Sequence, residues 1–209
     1  MQEKIAEAWR LFDIGDFEAS ETIYRECLEM TSEDDYDTFA SVLMGLIYTQ
    51  SFLEKYDEAR DYARRLLEIA PNEEEKHIAL HQAGMVERMA GDYDRALEWF
   101  LQEEELIRKV FPKDDMRISA NLYEQGYVNL KKESLQISAE IMKEALEYAK
   151  KSEDAMCIGC AYRGLGEIMY AQGKEDQAKD YFKQAIEAFE LTGDEIAVKE
   201  VGEMLEEAI

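Results

Sequence analysis

The chain has 209 residues, 46% of them apolar, enough to bury one continuous core as a single domain or a repeat array. Two prolines and eleven glycines describe a chain that is helical almost throughout, and neither a membrane-spanning apolar run nor an apolar export leader is evident. With 48 acidic against 24 basic side chains the net charge is −24, a field that repels nucleic-acid phosphates and anionic lipid headgroups and suits solubility or a basic partner.

The predicted elements recur along the chain. Ala8 and Leu11 lie on a first helix closed by Gly15-Asp16-Phe17, and Ser20, Tyr24 and Cys27 line a second. Ser41, Met44, Gly45 and Tyr48 precede Lys55-Tyr56, then Ala59, Ala63 and Pro71. Leu80, Ala83, Gly84 and Glu87 precede Gly91-Asp92-Tyr93, then Ala96 and Phe100. Leu122, Gln125 and Gly126 precede Leu135, Ser138, Met142 and Ala145. Tyr162, Leu165, Gly166 and Met169 share one helical stripe that Gly173 ends, and Ala178, Phe182 and Ala185 share the next.

Two markers advance together. Ala8, Gly45, Gly84, Gly126 and Gly166 step by 37, 39, 42 and 40 residues; Ser20, Ala59, Ala96, Ser138 and Ala178 step by 39, 37, 42 and 40. A helix-interior glycine costs about 1 kcal/mol against alanine, which close helix packing must offset. Asn72 with Glu75, and Thr192 with Glu195, read as capping boxes at helix starts. A terminal helix over 194–209 places Ile196, Val201, Leu205 and Ile209 on one face, as an array's cap requires.

This pattern resembles the tetratricopeptide repeat (TPR), with Tyr162-x-x-Leu165-Gly166 followed by Ala178-x-x-x-Phe182 as its best match and Ala59 to Pro71 reproducing the alanine-to-proline spacing. The resemblance implies an all-α, right-handed superhelical solenoid of antiparallel helix pairs. It forms a single array over 1–209, with repeats about 1–33, 34–72, 73–113, 114–152 and 153–193 and a cap over 194–209. Steps near 40 exceed the usual 34 and are similar to those of kinesin light chains or bacterial peptide-sensing regulators. Ala8 stands where the family has glycine, and Ser138 and Met142 stand for alanine and phenylalanine.

In that family the first helices line a groove. The resemblance puts there Ile5, Trp9 and Phe12; Val42, Leu46 and Thr49; His81, Met85 and Arg88; Tyr123, Tyr127, Leu130 and Lys131; and Arg163, Glu167 and Tyr170. The expected partner-binding set is His81, Arg88, Tyr123, Tyr127, Lys131, Arg163, Glu167 and Tyr170, rich in the tyrosine and arginine of binding hot spots. Either these side chains meet a ligand or they pack and pair internally, Arg163 with Glu167 above all. Trp9 and Phe12, on a first helix that no earlier repeat covers, offer self-association instead. The asparagine of the chaperone-binding clamp is missing, since Ala8 or Trp9 occupies its place.

Catalytic chemistry finds little support. Cys157-Ile-Gly-Cys160 lacks a second ligand pair for zinc and a βαβ setting for redox work, and reads as core. His77 and His81 lack the glutamate of a zinc-protease helix, and the runs Glu73–Glu75 and Glu103–Glu105 read as solvated faces. Three sparse cysteines fit a reducing cytoplasm. The expectation is a cytoplasmic, non-catalytic scaffold or adaptor without cofactor or metal that binds a protein or peptide, a basic one by charge. Its alternatives are a homodimerisation module and the peptide-sensing part of a bacterial regulator.

Overall fold

The structure is a computed structural model that describes residues 1–208. Among the described residues there are eleven helices and no strand: α1 (Gln2–Asp13), α2 (Phe17–Met30), α3 (Tyr36–Phe52), α4 (Tyr56–Ile69), α5 (Glu73–Met89), α6 (Tyr93–Val110), α7 (Asp115–Lys131), α8 (Leu135–Ser152), α9 (Ala155–Ala171), α10 (Glu175–Thr192) and α11 (Glu195–Glu207). They fall into two compact units, Met1–Trp99 and the chain from Phe100 on. Within the first, α1 packs on α2, α3 on α4 and α4 on α5; within the second, α7 packs on α8, α9 on α10 and α10 on α11.

Short polar side chains set the helix starts. Asp16, Asp35, Asn72, Asp114, Asp154 and Asp194 each accept from the backbone N–H three residues on, satisfying a donor that the first turn leaves open. Asn72 thus caps α5 as expected, but the Glu75 carboxylate accepts instead from the Tyr36 hydroxyl at 2.9 Å. The last helix is capped by Asp194 rather than Thr192: α10 runs through Thr192, whose hydroxyl donates to the Phe189 carbonyl at 2.7 Å. Val201 is buried on α11, whereas Ile196 is 74% exposed; Ile209 lies outside the described residues.

One turn joins the two helices of every pair. Gly15, Glu54, Gly91, Glu133 and Gly173 have φ of 82°, 59°, 77°, 59° and 71°, the left-handed region. The next residue donates its N–H back across the turn: Asp16 to Leu11, Lys55 to Gln50, Asp92 to Glu87, Ser134 to Asn129 and Lys174 to Met169, all at 2.8–2.9 Å. These bonds close each first helix in a Schellman motif. The turn residues step by 39, 37, 42 and 40, the same series as the second-helix small residues.

That agreement corrects the register of α3. Ala8, Gly84, Gly126 and Gly166 each stand twelve residues before their second-helix partner, whereas Gly45 stands fourteen before Ala59. The residue at the repeat position is Ile47, buried at 1% in a core with Ala59 and Ala63. Gly45 serves another contact: a Cβ there would run into the ring of Tyr24, on the preceding helix α2. At Gly166 a Cβ would lie 2.5 Å from Phe182 Cδ1, and at Gly126 2.9 Å from Met142 Cε, both on the following helix.

Candidate partner-binding stripes

In the first unit the shifted register removes Val42, Leu46 and Thr49 from any open face. All three are at 0% exposure, Val42 and Leu46 against Ala8, Tyr24 and Cys27. Met44 and Tyr48 take their place beside Ile5, Trp9 and Phe12 of α1. The Trp9 ring meets Tyr48 edge-on at 5.9 Å and stacks on Phe12 at 5.3 Å. Phe12 continues to Phe52 at 5.1 Å and Phe17 at 5.2 Å, so its ring is largely engaged within the unit. Trp9 remains 42% exposed. Between α1 and α3 these residues leave an apolar hollow of about 490 Å³, lined by Ile5, Ala6, Trp9, Met44, Gly45 and Tyr48 among others.

Farther along, the buried Gln82 of α5 donates to the Tyr48 hydroxyl at 3.2 Å. His81, Met85 and Arg88 are half-buried on α5, with Arg88 Nη2 3.4 Å from Met85 Sδ. A smaller hollow of about 210 Å³ lies by Tyr36, Asp37, Ser41, Met44, Glu75 and Ile78.

In the second unit the expected register holds. Tyr123, Tyr127 and Lys131, spaced i, i+4, i+8, form a ladder on α7: the two rings stack at 6.1 Å, and the Lys131 ammonium sits 4.8 Å over the Tyr127 ring. On α9, Arg163 Nε is 3.3 Å from Glu167 Oε1, and its Nη1 is 3.6 Å from Glu200 Oε2 of α11. Burial works against the Arg163 charge, but Tyr123 and Glu167 beside it raise its pKa above the usual range. Burial likewise pushes the Tyr123 hydroxyl well up. Tyr170 ends the stripe, 47% exposed. The structure thus brings Tyr123, Tyr127 and Lys131 together, pairs Arg163 with Glu167, and sets His81 and Arg88 in the other unit.

Behind this stripe runs a buried polar seam that the glutamate run concealed. Glu103 is not solvated but 1% exposed, and it accepts from Asn121 Nδ2 at 2.9 Å. The same amide donates to the Phe100 carbonyl at 2.8 Å, and Gln125 Nε2 donates to Asn121 Oδ1 at 2.7 Å and Glu104 Oε2 at 2.8 Å. Helical spacing of Asn121, Gln125 and Asn129 on the face that carries Leu122 was the available signal.

Reactive groups are damped. Burial and Asp154 push the Cys157 thiol up to about 12, and burial pushes Cys160 to about 11, so neither supplies a thiolate near neutrality. Among the described residues no group of three or more His, Cys, Asp or Glu is placed to hold a metal ion, and no helix is long and apolar enough to cross a membrane.

A family model, the MalT-like TPR region, matches residues 40–202. No curated protein matches the chain. Solved structures do. A protein of nearly identical TPR-like repeats from Podosopora anserina is 13% identical, covering 92% of this chain and 96% of that one, with a TM-score of 0.67. TTC0263, a thermophilic TPR protein in Thermus thermophilus, is 17% identical over 99% of this chain and 97% of its own, with a TM-score of 0.66. YrrB, a TPR protein with an unusual peptide-binding site, is 16% identical over 96% and 90%, with a TM-score of 0.51. At such identities the likeness speaks for the fold, an all-α helical repeat, and with the family match it means that the chain belongs to the tetratricopeptide-repeat family.

Proposed function

We propose that the protein is a non-catalytic, cytoplasmic scaffold that holds a segment of a protein or peptide partner on the open stripes of its first helices. One observation carries this: on α7 and α9, Tyr127, Lys131 and Tyr170 stay accessible while the residues beneath them are buried. Tyrosines offer wide contact area with a polar tip and lose little conformational freedom on binding. Arg163 is already engaged by Glu167 and Glu200, so a ligand carboxylate would have to displace them. The ring faces and Lys131, rather than Arg163, are therefore the first contacts. The peptide-binding site named for YrrB supports the class of function.

The test is a peptide-library titration of the wild type against a Tyr127→Ala, Tyr170→Ala double variant. Loss of two such anchors weakens the selected peptides by about a hundredfold or more. Equal affinity for both proteins, with unchanged circular dichroism, rejects the stripe as a binding surface.

A further inference from the structure

We propose that the hollow between α1 and α3 is a recognition site for a basic segment: it takes one large apolar side chain, with a lysine or arginine about three residues away on the Asp37 and Glu75 carboxylates. The inference rests on the scaffold reading and adds the chemistry of the ligand.

Two hollows of the first unit lie side by side, with Ser41 and Met44 lining both. The larger is lined by Ile5, Ala6, Trp9, Met44 and Tyr48, apolar surface that gains by covering an apolar side chain. The smaller holds two carboxylates, Asp37 and Glu75, and neither hollow is lined by a cation. Asp37 is exposed in the first turn of α3; Glu75 accepts from the Tyr36 hydroxyl and has acceptor positions left for a second donor. The surrounding residues 1–99 carry 24 acidic against 10 basic side chains, so the long-range field steers cations towards this face. The same field opposes a second copy of the chain, which carries −24 itself.

Spacing follows from helix geometry. Asp37 and Met44 are seven residues apart on one helix, about 10 Å along its axis. An extended ligand advances about 3.3 Å per residue, which sets the apolar anchor and the cation about three residues apart.

The probe is a set of fluorescein-labelled Gly/Ser decapeptides carrying Leu-x-x-Lys, with matched Leu-x-x-Glu and Ser-x-x-Lys versions, titrated by anisotropy against the full chain. Leu-x-x-Lys binds, and each matched version is weaker by about tenfold or more. Met44→Glu, which puts a charge on the wall of the larger hollow, abolishes binding. Asp37→Asn with Glu75→Gln, changes that keep the side-chain size and leave an oxygen to accept from Tyr36, removes the preference for lysine over glutamate. Equal binding of the lysine and glutamate peptides, or binding that survives Met44→Glu, overturns the proposal. So does a concentration-dependent dimer, seen by sedimentation, that Met44→Glu dissolves, because a second copy then fills the hollow. Library peptides lost by the Tyr127→Ala, Tyr170→Ala variant while Leu-x-x-Lys goes unbound leave the scaffold reading standing and this one refuted; no loss anywhere refutes both.

Discussion

The two units fill their close approaches and polar seams with different side chains. In the first, Gly45 admits Tyr24 from the preceding helix, and charge ties the helices together. Glu21 accepts from Lys55 Nζ at 2.6 Å, Arg25 Nε at 2.8 Å and Gln50 Nε2 at 2.9 Å, and Glu87 takes Arg60 through contacts of 2.7–3.1 Å. In the second unit Gly126, Gly164 and Gly166 admit Met142 and Phe182, and the amides of Asn121 and Gln125 lead the seam. A glycine in a helical repeat therefore marks a close approach without saying which neighbour approaches. Carboxylates stand in both seams: Glu21 and Glu87 meet cations in the first, Glu103 and Glu104 meet amides in the second.

The largest effects come from the rings that fill these approaches. Tyr24→Ala and Phe182→Ala, at 1% and 2% exposure, each cost about 4 kcal/mol in urea unfolding. Gly45→Ala and Gly166→Ala each cost about 2 kcal/mol, overpacking outweighing the gain in helix propensity. Coupling sharpens the comparison: Gly45→Ala is harmless in a Tyr24→Ala background, and Gly166→Ala is harmless in a Phe182→Ala background. If Gly45→Ala stays as costly without the Tyr24 ring, the close approach assigned to α2 is wrong.

The helix pattern, the glycine turns and the spacing of the second unit's tyrosines were legible because each rests on local rules. Gly166 to Ala178 and the i, i+4 spacing of Tyr123 and Tyr127 survive folding unchanged. Repeat two misled because its glycine is real but serves Tyr24, while the repeat position carries Ile47. The left-handed turn at Glu54 would have fixed the register, but glutamate gives no turn signal. Thr192 failed as a cap for a related reason: Asp194 and the left-handed Gly193 end and restart the helices two residues later. The Glu103 seam was hidden by its neighbours, since a run of three glutamates looks alike whichever member faces inward.

Acid tests the first unit's seam next. Burial alone would raise the Glu21 pKa, but hydrogen bonds from Lys55, Arg25 and Gln50 prevail and hold it down at about 2, against an ordinary 4.5. Its stabilising contribution is complete above about pH 4.5 and is lost as pH falls towards 2. Glu21→Gln therefore costs about 2 kcal/mol at pH 7, after allowance for solvent screening, and progressively less below pH 4. Urea midpoints of wild type and variant that keep a constant gap from pH 7 down to about pH 2.5 would refute the assignment.

The smallest effect lies where the units agree. Glu54 in the first and Glu133 in the second hold φ of 59° at the turn position that Gly15, Gly91 and Gly173 fill elsewhere. A side chain costs about 1 kcal/mol in that conformation, and both turns close with the same backbone bond, Lys55 to Gln50 and Ser134 to Asn129. Glu54→Gly and Glu133→Gly should therefore each stabilise the fold by about 1 kcal/mol, less the entropy that glycine adds to the unfolded chain. Gly91→Ala should lose a similar amount. Because the strain is a property of the turn and not of its surroundings, the two glutamate substitutions should match within about 0.5 kcal/mol. A gain at one site and a loss at the other would mean that the units do not share this turn after all.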